Sequence, residues 1–315
     1  MYFPYLRGKQ FELIALRELG DFMSVNNLKV SPIIEPVKIS STLKNTLKNL
    51  KDNNINFNIV LNPQVGDLIT ETDKIIEIIK SELSDYSNYQ LGIIFEKTFA
   101  LTELLEKVRN SNLNPKGFAL IHNVVIANEN LLSIKERCEV IFPVIYNVIN
   151  FDKTNSNRRY NRNFSSDTLV SLADYFSSQT KNSAYLDLES VFTEEHLFYL
   201  QEGYAGFGDF LTIGDNYSES GFMPYAVAIH ISYADNSGKI NVKHFVSDSN
   251  GDTSDIGGKF AEANNKLVVW CDENNINTTA IIEFRSLRNS GHFPGLGVIK
   301  KLSIINHIEL MVNSI

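Results

Sequence analysis

Phe207-Gly208-Asp209-Phe210-Leu211-Thr212-Ile213-Gly214-Asp215 and, further on, Ala226-Val227-Ala228-Ile229-His230-Ile231-Ser232-Tyr233 are short apolar runs that carry a polar group at or near their ends. The same form recurs upstream, in Pro32-Ile33-Ile34-Glu35, Asn58-Ile59-Val60-Leu61-Asn62, Gly92-Ile93-Ile94-Phe95-Glu96 and Phe118-Ala119-Leu120-Ile121-His122-Asn123. A short apolar run that ends in a polar residue, repeated with helical stretches between, is the pattern of a parallel α/β barrel. Both opening runs are therefore expected to belong to one buried sheet.

Outward from these runs, the chain supplies the rest of such a barrel. Tyr2 to Leu6, Val30 to Val37, Leu91 to Glu96, Phe118 to His122 and Glu139 to Val144 read as strands. Lys9 to Leu19, a stretch through Leu50 capped by Ser40-Ser41-Thr42, Ile69 to Leu83, Ala100 to Asn110 and Asn128 to Arg137 read as helices. The pattern breaks at the polar loop from Asp152 to Asn163. Leu169 to Phe176 then reads as helical, Ala184 to Leu188 as strand or loop, and Thr193 as the cap of a helix to Gln201. The candidate strands number one more than an eight-stranded barrel holds, and Ala184 to Leu188 is the expected surplus.

After Tyr233, the turn signal Asp235-Asn236-Ser237-Gly238 precedes an alternating strand, Ile240 to Val246. Placing Gly238 in the left-handed position pairs Asp235 with Lys239 and sets His230 opposite His244. Lys259 to Cys271 and Ile299 to Val312 read as helices. The expected fold is a single domain over residues 1–315, a TIM-barrel-like (β/α)8 body whose hairpin and C-terminal helix occupy 234–315.

With 315 residues and 43% hydrophobic content, the chain has material for a sizeable core. A net charge of −8 argues against a generally basic nucleic-acid surface, leaving only a local basic loop for such contacts. Two cysteines, Cys138 and Cys271, have no metal spacing and no disulfide framework, which suits a reducing cytoplasm. The first residues lack the apolar core of a signal peptide, and no apolar run approaches about 18 residues, so no membrane span is expected.

The opening Tyr2-Phe3-Pro4-Tyr5-Leu6-Arg7-Gly8-Lys9, followed by Glu12, Ala15-Leu16 and the strand Pro32-Ile33-Ile34-Glu35, resembles the start of the bacterial and prophage beta protein family. Phe207-Gly208-Asp209-Phe210 is similar to that family's late Gly-Asp-Tyr element. The resemblance extends over residues 1–235. Arg7 and Gly8 stand where many members have Lys and an aromatic residue, which marks a divergent subgroup. The resemblance implies a barrel-like α/β domain in a phage-defence or mobile-element setting, acting with a partner protein, nuclease-like and encoded nearby. It implies no catalytic residues.

A barrel active site forms at the C-terminal strand ends. Those ends offer Glu35, Glu96, His122 and Asp215 as candidate catalytic groups, beside Arg7, Lys9, Asn62 and Asn123. The carboxylates with His122 suit acid–base work or a divalent metal. The competing reading pairs Glu35 with Arg7 or Lys9 and leaves the rest as loop caps. Arg158, Arg159 and Arg162 around Tyr160 form a candidate phosphate clamp, against the alternative of a solvated loop. His230 and His244 read either as two metal ligands or as histidines satisfied within a sheet. Two functions follow: a defence component working with a partner, or a metal-dependent phosphodiester hydrolase. No cofactor is dictated, and a divalent metal is the one these groups would suit. Asp248-Ser249-Asn250-Gly251-Asp252 starts like a calcium loop, but Thr253 and Lys259 stand where that loop needs Gly and Glu.

Overall fold

Eight short runs pair in parallel and close on themselves: β1 (Tyr2–Leu6), β2 (Ile33–Ile34), β3 (Phe57–Val60), β4 (Tyr89–Phe95), β5 (Gly117–His122), β6 (Val144–Asn150), β7 (Leu169–Ala173) and β9 (Gly206–Asp209). The computed structural model describes every residue except 98–99, 156 and 219–222. Register runs from Leu6↔Ile34 through Ile34↔Ile59 and Ile59↔Leu91, and returns to β1 through Phe3↔Gly208. The TIM-barrel-like fold read from the strand pattern is the fold observed.

Helices α1 (Gln10–Glu18), α2 (Gly20–Val25), α3 (Ser41–Asp52), α4 (Thr72–Glu82), α5 (Leu101–Arg109), α6 (Asn128–Glu139) and the short α7 (Arg158–Asn161) connect the strands. Their buried residues recur at helical spacing, as in Leu43, Leu47 and Leu50 of α3 and Leu101, Leu104, Leu105 and Val108 of α5. Ser40 caps α3 by accepting the Leu43 N–H at 3.1 Å.

Successive side chains of a strand point to opposite sheet faces, so register decides which residues face the barrel interior. Phe3 and Tyr146 identify that face. They lie on strands separated by β9 and β7, yet their rings meet at 4.9 Å. Pairing carries this face through Gly208 and Leu172 to Asn150, and through Ala119 and Gly92 to Val60. Gly206 belongs to the same face. A Cβ there would sit 2.4 Å from the Phe3 ring, so only glycine lets β9 pass beside it.

The chain divides into two units, 1–174 with 198–209, and 175–197 with 210–315. The second unit holds an antiparallel sheet of β8 (Glu189–Thr193), β10 (Ala228–Ala234) and β11 (Ile240–Val246) in the order β10-β11-β8. It also holds α9 (Ile256–Glu273), α10 (Thr279–Ser290) and α11 (Leu296–Asn313), while α8 (Glu195–Phe198) spans the boundary. The hairpin register matches expectation. Asp235 N–H donates to the Lys239 carbonyl at 2.9 Å, Gly238 has φ +84°, and His230 faces His244. Among the described residues, no helix is long and apolar enough to cross a membrane.

Several expectations need correction. Leu169–Ala173 is a strand rather than part of a helix; all five residues are buried, and a strand buried on both faces shows no alternation to separate it from a helix. The run Ala226 to Tyr233 lies outside the barrel, because β10 pairs with β11 over seven residue pairs and the barrel closes through β9 instead. Of the two alternatives for Ala184 to Leu188, the loop is the one observed, outside the barrel as expected: it contains the end of a 3-10 turn and a left-handed Asp187, and β8 begins only at Glu189. Helix α6 runs to Glu139, which delays β6 to Val144. The run from Phe207 stops being a strand at Asp209. Leu211–Ile213 forms a 3-10 turn, so Asp215 sits in the second unit and not at a barrel strand end.

Candidate functional site

The C-terminal mouth of the barrel is built first by β1 and β2. Tyr5 and Arg7 follow Phe3 at intervals of two, and Glu35 follows Ile33, which pairs with Tyr5. All are on the interior face by alternation. Glu35 is fully buried and collects three donors. The Tyr5 hydroxyl donates to Oε2 at 2.6 Å, the Arg7 guanidinium donates to the same oxygen, and the Gln64 backbone N–H donates to Oε1 at 2.6 Å. Gly8 lets the chain turn past this group, with φ +64°; a Cβ there would lie 3.0 Å from the Glu35 carbonyl oxygen. Lys9 precedes α1, where its backbone N–H meets the Glu12 carboxylate at 3.4 Å.

A second polar run follows on β4, β5 and β6. Glu96 follows Ile94 and shares its parity with the interior face. It is half-buried, and its Oε1 accepts from Asn123 Nδ2 at 2.7 Å. Asn123 Oδ1 accepts from Asn150 Nδ2 at 3.2 Å, and Asn150 Oδ1 accepts the Lys153 N–H at 3.2 Å. Asn62 continues the sheet beyond β3, exchanging hydrogen bonds with the Ile94 backbone at 2.7 and 2.9 Å. Glu35 and Glu96 thus share both the face and the end of the barrel.

His122 does not share them. It pairs with Phe95, one residue out of phase with Ile94, and so faces outward. There it packs against Phe95, Tyr160 and Phe164, with ring centres 5.0 to 5.7 Å away. Tyr160 OH lies 2.8 Å from Nδ1 and Asn147 Oδ1 lies 3.4 Å from Nε2. Burial pushes this imidazole down to about 4. It is a neutral, fully engaged core histidine and is not in the mouth. Asp209 is likewise turned outward, accepting the Tyr2 hydroxyl at 2.9 Å; burial, then the Asp209 charge, raises the Tyr2 pKa well above normal.

Arg158, Arg159 and Arg162 are exposed on and just after α7, whose first turn is capped by Asn157 accepting the Tyr160 N–H at 3.0 Å. They present a basic surface rather than a buried clamp. In the second unit, His230 and His244 face each other with Nδ1 atoms 2.7 Å apart, under Tyr185 at 4.6 and 4.7 Å. Two ligands of one metal ion, each about 2.0 Å from it, need more separation than this, so the contact is a shared hydrogen bond. Among the described residues, no three His, Cys, Asp or Glu side chains form a metal-binding group.

Tyr5, Gln64 and Asn150 were missing from the sequence-derived candidates. A signal existed for Tyr5, which lies two residues before the candidate Arg7 and so on the same strand face; Gln64 reaches Glu35 through its backbone N–H from the loop after β3, which no residue pattern marks. No protein-family model matches the chain, and no curated protein matches it.

Proposed function

We propose that the protein is a cytoplasmic phage-defence or mobile-element component of the beta protein type, which works with a partner protein through the C-terminal mouth of its barrel. One observation supports the reading. Tyr5 and Glu35, which belong to the stretches that carry the resemblance, converge with Arg7 and Gly8, where the chain departs from it, on a single buried cluster at the mouth. Glu35 has three donors and acts as the anchor of that cluster. Beside that cluster stand Glu96 and Asn123, hydrogen-bonded to each other, and Gln64, whose side chain donates to the Asn62 carbonyl, a set of donors and acceptors suited to a polar ligand.

Deleting the gene should change phage sensitivity, and affinity purification should recover the product of a neighbouring gene. Glu96→Gln should weaken the phenotype without lowering the melting temperature. If deletion leaves sensitivity unchanged and no neighbour co-purifies, the reading fails.

A second reading is phosphodiester hydrolysis at the same mouth. The exposed arginines Arg158, Arg159 and Arg162 favour it, since guanidinium groups neutralise phosphate. Among the described residues no three His, Cys, Asp or Glu side chains make a metal centre, so no metal-dependent step is derived. Turnover of a generic phosphodiester with Mn²⁺, lost in the triple arginine-to-alanine variant, would support it; no turnover would end it.

A further inference from the structure

Within the second unit, a cavity of about 380 Å³ opens beside the three-stranded sheet. Its origin is a strand that stops early. β8 pairs with β11 only as far as Glu189↔Lys243. Asp187 then adopts φ +57°, a left-handed conformation uncommon for residues other than glycine, and turns the chain away from the rest of β11.

The backbone of β11 faces this gap. Asp235 N–H to Lys239 and Ser247 N–H to Val227 mark the odd-numbered residues of β11 as those bonded to β10. Val246 therefore points its backbone the other way, and its carbonyl accepts Lys266 Nζ at 2.8 Å. Leu186 and Leu188 line the opposite wall, 52% and 42% exposed, with the carboxylates of Asp187 and Glu189 beside them. Lys243 and Lys266 line the β11 side with Phe245. Lys243 is paired with Glu189 at 2.8 Å and Lys266 with Asp248 at 2.6 Å.

The lining thus offers two carboxylates, two ammonium groups and apolar walls in one small space. A phosphate would use only the lysines and be repelled by Asp187 and Glu189. An apolar acid would add a further carboxylate beside Asp187 and offer it no cation. We propose that this cavity binds a zwitterion with an apolar side chain, an amino acid or dipeptide. Its ammonium meets Asp187 and Glu189, its carboxylate meets Lys243 and Lys266, and its side chain lies against Leu186, Leu188 and Phe245. The volume is near the lower end of ligand cavities, about 300–1,000 Å³, which limits the ligand to one or two residues.

The chain carries its own reporter. Its single tryptophan, Trp270, lies 5.6 Å from the Phe245 ring and 5.3 Å from Lys243 Nζ. The full chain is titrated with leucine, leucyl-leucine, N-acetyl-leucine and leucinamide, followed by tryptophan fluorescence and repeated by calorimetry. Saturable binding of leucine or leucyl-leucine is expected, with each blocked compound at least about tenfold weaker through loss of a charge-assisted contact. Asp187→Asn, which keeps a residue tolerant of the left-handed conformation, and Lys266→Met, which keeps the apolar stem, should each weaken binding about tenfold at unchanged melting temperature. Heat-silent and fluorescence-silent titrations with both unblocked compounds overturn the proposal. So does equal binding of the blocked compounds, or wild-type affinity in both variants.

Discussion

Replacing Glu35 with glutamine should destabilise the barrel sharply, although the two side chains have almost the same shape. In the native chain, Oε2 receives the Tyr5 hydroxyl and the Arg7 guanidinium, and Oε1 receives the Gln64 N–H. An amide has one oxygen and one NH2. Whichever way it turns, the NH2 faces a donor, either Gln64 N–H or Arg7. Glu35 is fully buried and the Arg7 side chain is only 13% exposed, so water screens the loss poorly. Removing one partner of a buried ion pair costs about 3–5 kcal/mol, a large part of a typical total of about 5–15 kcal/mol. The melting temperature should fall by on the order of 10 °C. Urea denaturation followed by far-ultraviolet circular dichroism gives the free energy directly. Arg7→Met should cost a similar amount, because it leaves the Glu35 charge in the same place. The double variant should cost at least about 1 kcal/mol less than the sum of the two singles, since contacting charges couple. A Glu35→Gln cost below about 1 kcal/mol, or strict additivity of the pair, would refute the claim that this cluster holds the mouth together.

Four further outcomes are expected. Burial, then the neighbouring His244 and Lys300 charges, hold His230 at about 3; burial likewise holds His244 at about 4, with Glu189 and Lys243 acting on it in opposite senses. Both lie below the ordinary 6.5, so their contribution to stability is complete above 6.5 and is lost as pH falls from there towards 4; melting curves across that range should show it, and His244→Gln should flatten the dependence. Gly8→Ala should cost about 1–2 kcal/mol in denaturant titration, from its positive φ and the approach to the Glu35 carbonyl. Tyr2→Phe should cost about 1–3 kcal/mol by removing the donor to Asp209. Alanine at Arg158, Arg159 and Arg162 together should change stability by less than about 0.5 kcal/mol, yet reduce retention on a polyanion column.

Local pattern reads individual elements well. The runs ending at Glu35, Glu96 and His122 are barrel strands, and the Asp235 to Lys239 turn sets the hairpin register that places His230 against His244. What escapes local pattern is choice of partner. β9 and β10 both present apolar runs with a polar end, and only the pairing of Phe3 with Gly208 and of His230 with His244 assigns them to different sheets. Face is the other hidden variable. His122 and Glu96 end neighbouring strands, but a one-residue difference in phase sends the histidine outward and the glutamate inward. Asp215 was lost because the strand before it ends at Asp209, where the following residues turn instead of extending.

The route of the chain between its two units carries a consequence for biosynthesis. Residues 175–197 are made before the barrel's last strand, and β8 within them pairs with β11, which is translated later. Once Asp209 has left the ribosome, every barrel strand is available for closure. Until Val246 follows, β8 has no sheet to join, an unpaired edge that a neighbouring nascent chain can capture. The same ordering governs recombination. No single crossover point separates the two units, so exchange of either one between related genes requires breakpoints on both sides of β8 as well as after Asp209.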